Sequence, residues 1–316
     1  MIFFRQSLGP LIAVILLYFL IKPFVQTHTH LKDATFHLQY HWLIASFGML
    51  LVYRSLYISP FARLLSGITG KTVSSRDAFT LFHLANITRY LPGRIWGVVR
   101  LLSLSHRFGL SKTAVGSSLT GHVGIETALG GVIAMSLLFS KQMRDTVTEI
   151  LEKVSAHTLL LTLAVIGMMA VFVFLIPKLT HYAGAFVKTL TLILKNALLC
   201  VSVLVNHILL WMCQGIAFYL FVRSFAPMPW IDAGILTACF AFAWIAGFLS
   251  FLTPGGLGVR EGLLGLLLAN YMPTSQATLV ALLCRLWMLS AEILLAGTAF
   301  LLHRSCYERK TEVDNL

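Results

Sequence analysis

The sequence predicts an all-α integral membrane protein made of two inverted halves. It should hold about six full transmembrane helices and two Pro-Gly-broken re-entrant segments. Three observations predict this class. Hydrophobic residues make up 58% of the chain and charged residues 11%, at a mean hydropathy of +0.83. A soluble chain of 316 residues needs far more charge to cover its surface, so lipid is the solvent. Apolar runs long enough to cross a bilayer recur, and two further apolar segments each break at Pro-Gly, half a chain apart.

The full spans come first. Each must cover about 30 Å of hydrocarbon at about 1.5 Å per residue. The run from Ser7 to Ile21 is flanked by Arg5 and Lys22 and lacks a small-residue cleavage site, so it reads as a retained span. Others run from His41 to Ser59, Thr113 to Ser140 and Gln276 to His303. Leu159 to Ile176 and Asn196 to Val222 carry no charge at all.

The two broken segments differ from these. One runs from Asp77 to Arg107 and breaks at RYLPGRIWGVVR; the other runs from Asp232 to Tyr271 and breaks at FLTPGGLGVREGL. Aligned at the break, Pro92-Gly93 matches Pro254-Gly255, Gly97-Val98 matches Gly258-Val259, and Arg100 falls near Arg260, about 161 residues on. Asp-Ala opens both segments, at Asp77 and Asp232. Residues 1–150 and 151–305 thus share one plan: two spans, a broken segment and a further span. Residues 306–316 form a short tail, and the whole is a single polytopic domain.

Topology follows from parity. The arm from Asp77 to Leu91 is roughly 22 Å long as helix, too short to span, so the segment enters and returns on one side. Three crossings per half then invert the second half relative to the first. With both termini cytoplasmic, inside loops hold Arg54, Arg63, Lys71, Arg76, Arg107, Lys112, Lys178, Lys188 and Lys195, and the tail adds Arg304, Arg309 and Lys310. Outside loops hold only Lys22, Lys32, Lys141, Arg144, Lys153 and Arg223. Positive charge therefore favours this orientation.

The breaks carry the candidate chemistry. Non-helical backbone at membrane depth survives only where protein or a water-filled cavity surrounds it. Proline ends one arm, glycine permits the turn, and the new helix N-terminus points its free N–H groups inward, where anions bind. At the first break, Arg89, Arg94 and Arg100 surround Trp96, a set suited to a phosphate or lipid head group. Snorkelling of the same arginines to the interface is the structural alternative. The second break offers Arg260 and Glu261, and the spans after the breaks hold Glu126, Arg285 and Glu292. Charges inside spans face partners or a cavity. Arg285 and Glu292 share one helix face, as do His122 and Glu126. The carboxylates either couple protons or neutralise arginines. The small-residue run GSSLTGHVGIETALGG reads as close helix packing.

Several classes are excluded or disfavoured. The formal charge of +12, from 24 basic and 12 acidic residues, fits anionic lipid head groups. No basic run on a soluble face supports nucleic acid as a partner. Cys200, Cys213, Cys239, Cys284 and Cys306 lie at no metal-ligand spacing. His28, His30, His37 and His41 have no carboxylate cage and read as a solvated loop. No cofactor or metal is expected, and neither a nucleophile elbow nor a phosphate-cradling loop occurs.

At Tyr90, Leu91, Pro92, Gly93, Arg94, Ile95, Trp96 and again at Pro254, Gly255, Gly256, Gly258, Glu261, the chain resembles the lysylphosphatidylglycerol synthase transmembrane-region family, the flippase-like group. The resemblance spans essentially the whole chain. It implies a protein of the bacterial cytoplasmic membrane that moves a phospholipid or lipid-linked envelope precursor. The aminoacyl-transferase domain of the fused relatives has no counterpart here, so synthesis of the aminoacylated lipid is not expected. The alternative expectation is an accessory or scaffold for a partner glycosyltransferase or lipid synthase. A lipid group-transfer enzyme is the minor third reading, with Glu126, Glu261 and His122 as its only bases.

Overall fold

The computed structural model describes residues 38–86, 88, 96–155, 191, 196–250 and 258–314. Among these residues every regular element is helical. Two helices, α1 (Tyr40–Leu56) and α2 (Ile58–Thr69), run on from one another and form one span-length unit, Tyr40–Thr69. Pro60 explains the joint at Tyr57, because its ring collides with the carbonyl four residues back, that of Leu56. Gly70 ends α2 in the left-handed region, at φ 67°, and returns its N–H to Ser66.

The chain continues through α3 (Ser75–Asn86), α4 (Trp96–Leu104) and α5 (Lys112–Met135). Ser111 caps α5 by accepting from the Ala114 amide at 3.1 Å. Next comes α6 (Lys141–Ser155), then α7 (Ala197–Arg223), which Asn196 caps through the Leu199 amide. The last helices are α8 (Ala233–Leu249), α9 (Val259–Leu268) and α10 (Thr274–Asp314).

Five helical stretches are long and apolar enough to cross a membrane: Tyr40–Thr69, Lys112–Phe139, Ala197–Arg223, Trp230–Leu249 and Thr274–Leu302. Four match spans expected from sequence. The runs beginning at Ser7 and Leu159 lie outside the described residues. The fifth, Trp230–Leu249, was expected as the first arm of a broken segment. Its helix α8 is about 25 Å long.

Two expectations about loops are corrected. Arg54 and Arg63 do not lie in a loop: α1 passes through Tyr57 into α2, which places Arg54 inside the span and Arg63 on α2. Lys141 and Arg144 belong to a helix rather than a loop. Met143, Val147 and Ile150 recur on one face of α6 and are buried, while charged residues such as Arg144 and Asp145 cover the other face. Gln142 and Thr146 of α6 tie it to Asn270, just beyond α9.

The core forms where α7 meets α1 and α8, and where α10 meets α3 and α9. Phe218, Tyr219 and Phe221 of α7 are fully buried, with Phe218 against Phe240 and Phe221 stacked on Trp287. On the opposite face of α7, Val201, Leu204, Val205, Ile208, Leu209 and Met212 form an exposed apolar stripe, as a lipid-facing helix requires. Arg223, at its end, lies over the rings of Trp42 and Trp230, a cation–aromatic cluster typical of a membrane interface.

Candidate functional site

Charges concentrate where α9 follows the second break. Gly258 takes φ 86°, in the left-handed region that favours glycine, and so starts α9 directly after the turn. Its N–H donates to Glu261 Oε2 at 2.9 Å, the carboxylate half of a capping box. The other oxygen, Oε1, accepts from Arg285 Nη1 of α10 at 3.1 Å. The G-x-x-E spacing thus has a local cause: a residue three places into a helix reaches back to its first amide.

Arg54 of α1 meets Glu292 of α10 at 2.8 Å, and both side chains are buried. Arg285 and Glu292, expected on one face and available to pair, each take a partner from a different helix. Their separation of two turns along α10 places each opposite a different neighbour.

Arg260 completes the group. Its guanidinium donates to the thioether sulfur of Met288 at 2.8 Å and lies over the ring of Phe240 at 4.8 Å. Arg54, Arg285 and Glu261 are its electrostatic neighbours. Among the described residues no carboxylate hydrogen-bonds to it, whereas Arg54 and Arg285 each meet one. A Cβ added to Gly247 would sit 2.9 Å from Arg260 Cβ; the bare glycine lets α8 and α9 close at the height of this arginine.

A second polar centre joins α1, α5 and α7. Glu126 accepts from Tyr57 at 2.5 Å and Tyr53 at 3.3 Å, and its backbone carbonyl accepts from Trp211 Nε1 at 3.1 Å. One turn back, His122 Nδ1 lies 2.9 Å from His207 Nε2, and His207 Nδ1 meets the Val203 carbonyl at 2.7 Å. The ring of Tyr57 stands edge-on to His122, with centroids 4.4 Å apart. His122 and Glu126 share a face, as their spacing implied. The small-residue run contributes packing at Gly130, where an added Cβ would come within 2.5 Å of the Trp211 ring.

The remaining expected site residues fall into two groups. Trp96 and Arg100 are exposed on α4. Across the first break, Thr88 donates to the Trp96 carbonyl at 3.0 Å, which holds the two flanks together. Arg89, Pro92, Gly93, Arg94, Pro254, Gly255 and Gly256 lie outside the described residues. Among the described residues no group of three or more His, Cys, Asp or Glu could hold a metal ion.

Sequence reading missed Arg54, Tyr53, Tyr57 and His207. For α7 a signal existed: His207, Trp211 and Gln214 recur four and three residues apart on one face of an otherwise apolar helix, and all are buried. For Arg54, the signal was a single arginine flanked by apolar residues and two tyrosines.

The comparisons with known proteins bear on the whole of this architecture. A family model described as the lysylphosphatidylglycerol synthase TM region matches residues 6–296. No curated protein and no solved structure matches the chain. The matched stretch takes in both Pro-Gly breaks, the polar centre at Glu126 and the charged group around Arg260, and on that coverage the chain belongs to the lysylphosphatidylglycerol synthase transmembrane-region family.

Proposed function

We propose that this protein is a lipid translocase of the bacterial cytoplasmic membrane, moving a phospholipid or lipid-linked envelope precursor whose phosphate meets the charged group on α9 and α10. One observation carries the reading: among the described residues Arg260 has a thioether and an aromatic ring as partners and no carboxylate, beside two arginines that each meet one. An uncompensated charge at mid-bilayer costs at least about 2.5–3.5 kcal/mol. An anionic phosphate reaching this centre offsets that cost, and a guanidinium suits it geometrically.

The inverted-repeat arrangement is part of the same proposal. The arm α3 of the first half packs on α10 of the second, and the arm α8 of the second packs on α5 of the first, while α1 packs on α7. Such an exchange of partners supports two halves related by a pseudo-two-fold axis, with the breaks entering from opposite faces and both termini in the cytoplasm. In inverted-repeat transporters, paired broken helices hold the substrate near mid-membrane. No catalytic role is assigned to the carboxylates.

The test is reconstitution in liposomes with fluorescent phospholipids, reading head-group accessibility to an impermeant quencher. The parent protein accelerates exchange of at least one phosphate-bearing lipid, and Arg260→Met abolishes the acceleration while remaining folded. Unaccelerated exchange of every envelope lipid tried, together with stable co-purification of a glycosyltransferase or lipid synthase, would replace this reading with the accessory role.

A further inference from the structure

A cavity of about 530 Å³ opens away from both polar centres, between the end of α2, the start of α3 and the start of α5. It lies on the face that the loop charges assign to the cytoplasm. Lys71 and Asp77 both line it, and neither forms an ion pair among the described residues. Both are exposed, and as the charged residues of the lining they carry opposite signs.

Ser117 supplies the second observation. Hydroxyl residues inside helices usually return their O–H to the carbonyl four residues back, and Ser118 and Thr120 do so to Ala114 and Gly116. Ser117, one residue away, is 4% exposed, lines the cavity and has no hydrogen-bond partner among the described residues. Its hydroxyl is therefore available to a group in the cavity, as donor and as acceptor. Beside it, the first-turn amides of Lys112 and Thr113 make no hydrogen bond among the described residues. They form the positive end of a 24-residue helix. Ile68, Phe108 and Leu110 complete an apolar wall.

We infer that this cavity binds a zwitterionic phosphate–ammonium group, the phosphate held by Lys71, Ser117 and the N-terminus of α5, and the ammonium by Asp77. Charge complementarity selects the class. A singly anionic head group leaves Asp77 facing like charge, whereas a zwitterion satisfies both ends. Phospholipid head groups and free aminoalkyl phosphates share this chemistry. The inference extends the lipid-handling reading to a separate site. Its readout is binding alone, so a protein that moves no lipid can still pass, and one that does can still fail.

The experiment measures retained lipid by native mass spectrometry after equilibration with equal phosphatidylethanolamine and phosphatidylglycerol. The parent protein retains the ethanolamine lipid about tenfold more than the glycerol lipid, the difference one charge-assisted hydrogen bond makes. Asp77→Asn brings the ratio close to one. Lys71→Ala and Ser117→Ala weaken retention of both lipids. Free O-phosphoethanolamine separates the sources: displacement of the lipid at millimolar concentration assigns the cavity to soluble phosphate–ammonium compounds, and persistence of the lipid assigns it to the membrane species. All variants are checked for an unchanged elution profile. Equal retention of the two lipids by the parent, or an intact preference in Asp77→Asn, overturns the inference.

Discussion

Glu261 holds two bonds with two oxygens, and substitution can take them apart. Glu261→Gln removes the charge facing Arg285 and puts a donor NH2 in place of one oxygen, opposite either the Gly258 amide or the Arg285 guanidinium. Arg285 then loses the Glu261 carboxylate while Arg260 stays close by. Breaking one side of a buried pair costs about 3–5 kcal/mol; with the pair one-tenth exposed at Arg285, the lower end, roughly 3 kcal/mol, applies. Glu261→Ala also loses the cap on α9, a further loss of about 1 kcal/mol. The double variant Glu261→Gln/Arg285→Gln removes the stranded charge and recovers most of the deficit. Unfolding by sodium dodecyl sulfate in mixed micelles, followed by tryptophan fluorescence, measures all three. The reasoning fails if Glu261→Gln lies within about 0.5 kcal/mol of the parent, or if the double variant is no more stable than the single.

The same unfolding assay reads two further effects. Gly130→Ala drives a methyl into the Trp211 ring and costs about 1–3 kcal/mol, whereas Gly131→Ala, with open space around it, is neutral or mildly stabilising. Tyr57→Phe removes the short bond to Glu126 and costs about 1.5–3 kcal/mol, more than Tyr53→Phe, whose bond is longer. Tyr271, in the connection between α9 and α10, has its phenol pushed up to about 12, first by burial and then by Cys239 and Asp232. Because the folded value is raised, its stabilising contribution is complete below the ordinary value of about 10 and is lost as pH rises through about 12. Absorbance at 295 nm checks this: the parent minus Tyr271→Phe shows a tyrosinate step near 12, and a step near 10 refutes it.

Helix content and the four described spans were legible because lipid leaves a strong compositional trace. Charges within the helices were legible too: Glu126, Arg285, Glu292, Arg260 and Glu261 stand out against apolar runs. Their pairing was not. Arg54 meets Glu292 across more than 200 residues of chain, and periodicity within one helix carries no information about which face of another helix arrives opposite. Arg54 was hidden for a further reason. A basic residue near the end of an apolar run reads as the interface, and only the continuation through Tyr57 into α2 places it inside. The helix α6 was hidden because its mean composition is polar, and only the spacing of Met143, Val147 and Ile150 betrays it.

The second break sets two neighbouring motif residues, Arg260 and Glu261, against different partners. Proximity to the break made Arg260 and Glu261 equal candidates. The structure gives both oxygens of Glu261 to the fold, one to the first amide of α9 and one to Arg285. Among the described residues the Arg260 guanidinium meets a soft sulfur and a ring face, neither of which balances a charge. A substitution at Glu261 should therefore weaken the fold, with any loss of lipid following from that. Arg260→Met inverts the pattern: its thioether side chain still packs against Phe240 and Met288, the desolvation cost of the cation disappears, and stability holds or rises. What goes is the attraction for a phosphate. A stable Arg260→Met protein that moves lipid as fast as the parent would show that this positive charge, however placed, is not what draws a head group into the membrane.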